Sequence, residues 1–451
     1  VSADLTTGKL EIAQNSTIEE LTHSGSSRVD IYNGKVLTLS NAFEIPHGKL
    51  MELVGSGGTL ALSDNLTLSG TLRFSGSDNT MDNGILVLNG GLLAVEEDAS
   101  MTSGLVHQAD STVSVFTGKT LNHSGETFGI GPRTLTLTGG GTLVNSNSLT
   151  LDNPASVLKL DGLAQVSQVA VTDNLTEGKL VVTQPAVIET LFHSGSSRIA
   201  LAEGVGLSVN EAFEVPVGQS LELIGTGGFL SLDDTLTLSG TLKFSAPENT
   251  LNGGNLLLNG GKLNVDENAA IASDLANQAD STVDVLFGKT LTYSGGALHI
   301  GSHALTLTGG GTLTNSNELV LNDPDSVLKL DGISQISKVG VSGVLIGGKL
   351  SVAQNALIGA LSHSGSSRLD LADGVHLSVD EAFEVPVTRL MELIGTGGTL
   401  TLNETLTLSG TLKFSAPGNT LDNGTRYLRI DPSIDYVLIQ IQVGNVRNRL
   451  K

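Results

Sequence analysis

The chain has no cysteine and no tryptophan, only four tyrosines among 451 residues, and 24 basic residues against 46 acidic ones. Without cysteine there is no disulfide framework and no thiolate-ligated zinc. With so few aromatics, a large spherical core is disfavoured, because such cores draw much of their buried area from aromatic rings. A net charge of −22 argues against nucleic acid and anionic membrane as partners, since both need clustered lysine and arginine. No apolar run approaches the roughly 20 residues of a membrane helix, so no transmembrane segment is expected. The text opens in mid-pattern at Val1-Ser2-Ala3 without the features of a signal peptide, so any export information is expected to have been removed or to lie outside this chain.

What the chain has is repetition. HSGSSR stands at His23 to Arg28, again at His193 to Arg198, and again at His363 to Arg368, a period of 170 residues that needs no gap. The organisation read from it is repeat 1 over 1–170, repeat 2 over 171–340, a partial repeat 3 over 341–424, and a basic tail over 425–451. A fixed-length tandem array multiplies one surface at intervals, whereas an enzyme needs a single asymmetric pocket. The expectation is therefore a structural or adhesive protein and not an enzyme.

Within each copy, pairs such as Leu60-x-Leu62, Leu66-x-Leu68, Leu72-x-Phe74 and Leu86-x-Leu88 alternate with polar residues. Alternation over three to five residues marks short strands with one face inward. Gly57-Gly58, Ser69-Gly70, Asn89-Gly90-Gly91 and Gly139-Gly140-Gly141 punctuate them as turns. This predicts an all-β fold, an elongated parallel β-solenoid. Three strands to a coil of roughly 20 residues would put about eight coils in each repeat, rising roughly 40 Å, and would make the whole chain a rod of roughly 100 Å. The competing architecture is a string of β-sandwich domains; the copies meet at strand-like text, Ser167 to Val171 and Ser337 to Val341, with no linker. Only Glu96 to Ala109 and Asp266 to Ala279 have helix-tolerant composition, as short helices or loop excursions.

The strongest candidate contact patch is the repeated sextet itself: His23, Ser24, Ser26, Ser27 and Arg28, with His193, Ser194 and Arg198, and His363, Ser364 and Arg368. An arginine flanked by hydroxyls and an imidazole can hold a carboxylate or phosphate. The alternative is a polar corner in which Arg28 pairs with a nearby acid such as Glu44 or Asp30. The tail carries Arg426, Arg429, Arg447, Arg449 and Lys451 against Asp431 and Asp435, together with Tyr427, Tyr436 and the alternating Ile439, Ile441 and Val443. It reads as an end cap or as a docking strand onto the acidic body of another copy, giving a homo-oligomer or filament. The scattered histidines and hydroxyls assign no catalytic triad, and the acidic pairs match no calcium loop. No cofactor and no dedicated metal site are expected, although excess carboxylate attracts calcium adventitiously. Outward Thr134-x-Thr136-x-Thr138 raises a flat ice- or mineral-binding face as a further class.

In LTLSGTLRFSGSDNT, ILVLNGGLLAV and LTLTGGGTLVNSNSLTLDNPASVLKLDG, residues 1–424 resemble the β-helical passengers of bacterial secreted adhesins of the filamentous-haemagglutinin and autotransporter kind. The resemblance implies a parallel β-helix exported across a Gram-negative envelope to the cell surface or beyond. There it would act in adhesion, aggregation or an extracellular fibre, with a glycan or host-surface ligand. The alternative is a carbohydrate-binding or carbohydrate-active β-helix of the tail-spike type.

Overall fold

The computed structural model describes Asp4, residues 8–422 and, for the backbone alone, 426–428. All regular structure among them is strand, and the ladders between strands of successive turns are parallel, which excludes the antiparallel sandwich. The chain divides into two units, Val1–Leu256 and Leu257–Lys451, and each is a β-solenoid.

One turn shows the plan. Leu50–Leu53 lies on a first face, Thr59–Leu62 on a second and Asn65–Leu68 on a third. The next turn repeats them as Thr71–Phe74, Asn79–Asp82 and Ile85–Asn89, with Leu53 over Phe74, Leu60 over Met81 and Leu66 over Leu86. Because side chains alternate in a strand, each contributes about two inward residues, and these stack on their counterparts above and below. On the second face of the first unit one such column runs Leu37, Leu60, Met81, Met101, His123, Asn145. Leu60, Leu66, Leu68, Leu72 and Phe74 are fully buried, and each buried aliphatic side chain contributes about 1.5–3 kcal/mol. No large aromatic is needed, because the core is one side chain deep from each face.

Turn length is what the corners adjust. Cross-turn partners are 19 residues apart at Leu10 and Val29 and 24 apart at Ser27 and Met51. Eight turns separate the first-face strand Ser27–Ile31 from Ser197–Leu201. Gly139 and Gly140 show why corners are glycine: both take positive φ, 101° and 82°, and a Cβ on Gly139 would stand 2.3 Å from the Val115 carbonyl oxygen. A side chain there would be strained and would force neighbouring turns apart.

The two helix-tolerant stretches are strands instead. Ala99–Met101 and Gly104–Ala109 occupy the first, Ala269–Ile271 and Asp274–Ala279 the second. Met101 and Ile271 are fully inward, and pairing with the adjoining turns satisfies the backbone in a way that overrides weak local propensity.

Candidate functional site

The sextet forms the corner that leads from the third face into the first, and its groups point to different sides of the wall. The chain passes the last inward position of the third face at His193, turns through Ser194-Gly195-Ser196 and enters the first face at Ser197. The amides of Ser194 and Gly195 both donate to the Val171 carbonyl of the preceding turn. A Cβ at Gly195 would lie 2.2 Å from the Asp173 carbonyl oxygen, and at Gly365 1.9 Å from that of Gly343. The glycine of the sextet is thus fixed by close approach of two turns.

Inside, each imidazole is buried and its Nε2 sits 2.7 Å from the hydroxyl of the third serine of the motif: His23 with Ser27, His193 with Ser197, His363 with Ser367. Burial pushes all three imidazoles below the ordinary histidine range, to about 4 for His193 and His363. At His23 Lys49 adds to the effect, and at His363 Arg389 does. Neutral imidazole is the form that fits here, one ring nitrogen sharing a proton with a hydroxyl inside an aliphatic core.

The middle serines stitch turns together: the hydroxyls of Ser26, Ser196 and Ser366 accept from the amides of Leu50, Ser220 and Leu390 at 3.2, 3.0 and 3.1 Å. The hydroxyls of Ser194 and Ser364 donate to Val171 and Val341. Outside, Arg28 pairs with Glu52 at 3.0 Å and Arg198 with Glu222 at 3.2 Å, while Arg368 stands 3.8 Å from Glu392. Arg28 therefore does not pair with Asp30 or Glu44: Asp30 takes Lys9, and Glu44 takes the Ser69 hydroxyl. At these corners the arginine's charged partner is its counterpart one turn on, which short sequence separation does not reveal.

The acid of this corner is a hub. Glu222 accepts from Arg198, Lys243 and Ser245, and Glu392 gathers Arg368, Lys413 and Ser415. Burial pushes the Glu222 carboxyl up, but Ser245, Lys243 and Arg198 outweigh it and hold it below its ordinary range. Ion pairs concentrate on this first face, whereas the second presents ranks such as Thr59 over Thr80 and Thr120 over Thr142. Thr134, Thr136 and Thr138 lie on the first face, where Thr136 adjoins Thr112 of the preceding turn but the rank stops at Val157 and Lys159 of the next.

A second buried device went unread in the sequence. Asn79, fully inward, donates to the carbonyls of Gly55 and Gly76 and accepts from the Gly58 amide. Asn249 and Asn419 do the same work in later turns. The recurring Asn-Thr in SGSDNT, SAPENT and SAPGNT was its signal.

Of the tail, Arg426–Leu428 forms a strand whose backbone pairs in parallel with Leu406–Leu408. Arg429, Tyr436, Ile439, Ile441, Val443, Arg447 and Arg449 lie outside the described residues. Among the described residues, no three His, Asp or Glu side chains gather as metal ligands, and no helix is long and apolar enough to cross a membrane.

Comparison with known proteins agrees with the β-helical adhesin resemblance. No family model matches the chain, and no solved structure does. Over 403 residues, 86% of its length, the chain is 26% identical to a protein named adhesin BmaC autotransporter from Brucella suis biovar 1 (strain 1330), of which it spans about 11%. The chain is thus similar to part of a much longer bacterial autotransporter adhesin.

Proposed function

We propose that this chain is an adhesive, non-enzymatic segment of a bacterial surface or secreted protein, an acidic rod that presents repeated outward patches. The observation that carries this reading is the recurrence of one corner, with the same inner latch and the same outer arginine, at His23, His193 and His363 on a parallel solenoid. Likeness to part of an autotransporter adhesin supports the same assignment. Copies of one outward patch favour several weak contacts engaging together, so attachment grows with valency without strong single sites. The outward members of each corner, Arg28, Arg198 and Arg368, belong to that patch; the imidazoles hold its shape from inside.

Beads coated with the chain should attach saturably to cultured epithelial cells or matrix-coated surfaces above an albumin control. Attachment equal to the control removes the adhesive reading. The rod and its self-association are tested separately, by negative-stain imaging and by light scattering with and without residues 425–451. Compact particles, or a mass unchanged by the deletion, would count against those parts.

A further inference from the structure

The solenoid repeats its text, so a place where two copies differ in both space and charge stands out. On the corner between the second and third faces of the first unit lies a groove of about 470 Å³, lined by Ile85, Thr102, Gly104, Ser124, Glu126 and Asn147 among others. That volume falls within the roughly 300–1,000 Å³ of small-molecule sites.

Three glycines floor the groove, and only two are required by the backbone. Gly84 has a φ of +53°, and a Cβ on it would meet the Asp64 carbonyl oxygen at 2.6 Å; a Cβ on Gly125 would stand 2.6 Å from that of Ser103. At Gly104 φ is ordinary and the nearest atoms to a Cβ are 3.7 Å away. Neither conformation nor packing calls for glycine there, and what its missing side chain does is leave the groove open. In the second unit the corresponding residue is Asp274, whose carboxylate accepts from the Gly296 amide at 2.7 Å. Gly296 in turn stands where the first unit has Glu126. One copy keeps a gap with a carboxylate at its rim; the other fills the gap and drops the rim.

We propose that this groove of the first unit is a binding site for a short neutral saccharide, which names a ligand class for the adhesive reading above and rests on it. The lining chooses the chemistry. Glu126 in the lining, with Asp82 held behind Thr102, repels anions on a chain of net charge −22, and among the described residues no three acidic or histidine side chains gather here to hold a divalent cation. Glu126, the Ser124 hydroxyl and the side-chain carbonyl of Asn147, whose amide already donates to Gly125, supply acceptors and a donor suited to vicinal hydroxyls, while the Thr102 hydroxyl is committed as a donor to Asp82. Ile85, an exposed apolar side chain, offers a surface for the C–H face of a sugar ring. Glycines let the ring approach the backbone.

The test exchanges the copies' text. Full-length chain is titrated with neutral di- to tetrasaccharides of glucose, galactose, mannose and N-acetylglucosamine, followed by ligand-observed NMR. At least one sugar should saturate, with one site per chain. G104D/E126G, a pair the second unit already accommodates, should weaken it at least tenfold. Glu126→Gln, a change at an exposed position that leaves the shape intact, should weaken it at least threefold. Failure of every sugar to saturate the unaltered chain, or an affinity unmoved by G104D/E126G and Glu126→Gln, overturns the proposal. Bead attachment is scored in parallel. Sugar binding at the groove without cell attachment keeps the site and removes the adhesive reading; cell attachment without sugar binding removes the site alone.

Discussion

Two corners of this solenoid bury a polar ring in an aliphatic core, and they differ in how strictly the copies agree. At the corner from the third face to the first, the ring is histidine in all three copies and its partner is always serine, 2.7 Å away. At the corner from the second face to the third, the first unit has His123 and the second has Tyr293. His123 makes one bond, Nε2 to the Ser103 carbonyl at 3.2 Å, whereas the Tyr293 hydroxyl donates to the Gly296 carbonyl and accepts from the Leu275 amide. Where inner partner and outer arginine are bound to one tight turn, the text is frozen. Where the turn is looser, the inner ring and the surface above it change together, and the groove of the first unit sits over that change.

Acid should act most strongly at the frozen corner, which buries an imidazole in every copy, whereas the looser corner does so only at His123 of the first unit, itself lowered by burial. Each imidazole at the frozen corner has its pKa lowered in the folded state by burial, so its contribution is full above about 6.5 and is lost as pH falls through the lowered value. For His193 and His363, with values near 4, linkage gives about 3 kcal/mol apiece over that interval. Urea midpoints measured from pH 7 to pH 4 should fall steeply, and H193Q/H363Q should flatten the profile. A double variant with the slope of the unaltered chain would show that the imidazoles do not govern it. The Glu222 carboxyl, held below its ordinary range, adds a further loss only below that range.

A smaller effect probes the looser corner. Tyr293→Phe keeps the ring and removes a hydroxyl that serves two backbone groups, at an expected cost of about 1–3 kcal/mol. Hydrogen exchange at the Leu275 amide should accelerate along with the loss. Unchanged exchange there would mean that the hydroxyl bond is not formed in solution.

The outer side of the frozen corner should be worth less. Glu222→Gln keeps the shape and one acceptor oxygen but turns the other into a donor and removes the charge facing Arg198 and Lys243, both about a third exposed. About 0.5–1 kcal/mol is expected, fading at high salt because surface pairs are screened. Equal losses at low and high salt would point to packing in place of charge.

The fold was legible because its two signals are local. Leu60-x-Leu62 and its kin state the strand period and the glycines state the corners, which gives the coil length, while the parallel ladders decide for the solenoid over the sandwich that the same spacing allows. What the sequence concealed lies between turns. Arg28 finds Glu52 because that particular turn is 24 residues long, and turn length is set by corner packing that no short window contains. The helix-tolerant text at 96–109 went the same way, since its preference is overruled by strands on either side. Inward His193 and outward Arg198 read as one surface motif because the four residues between them include the turn that sends them to opposite sides of the wall. The groove was hidden for a different reason: Gly104 looks like any corner glycine until its surroundings show that nothing demands it.

The smallest effect tests whether the first unit's looser corner is a packing deficit or a choice. Beside His123 the core keeps a cavity of about 20 Å³, lined in part by Leu105, Phe128 and Asn147, about the space of one water. His123→Tyr would carry the second unit's solution into the first. Its ring adds apolar volume, and its hydroxyl can reach the amide of Leu105 and the carbonyl of Glu126, the counterparts of the groups that Tyr293 uses. A gain of about 0.5–1 kcal/mol is expected, measured as a raised urea midpoint at unchanged slope. Because the Glu126 backbone would then be tied down from inside, sugar titration of the same variant reports whether the groove needs that backbone loose. Stability gained with binding retained makes the two features independent; stability gained with binding lost makes the poorer packing of His123 part of the site.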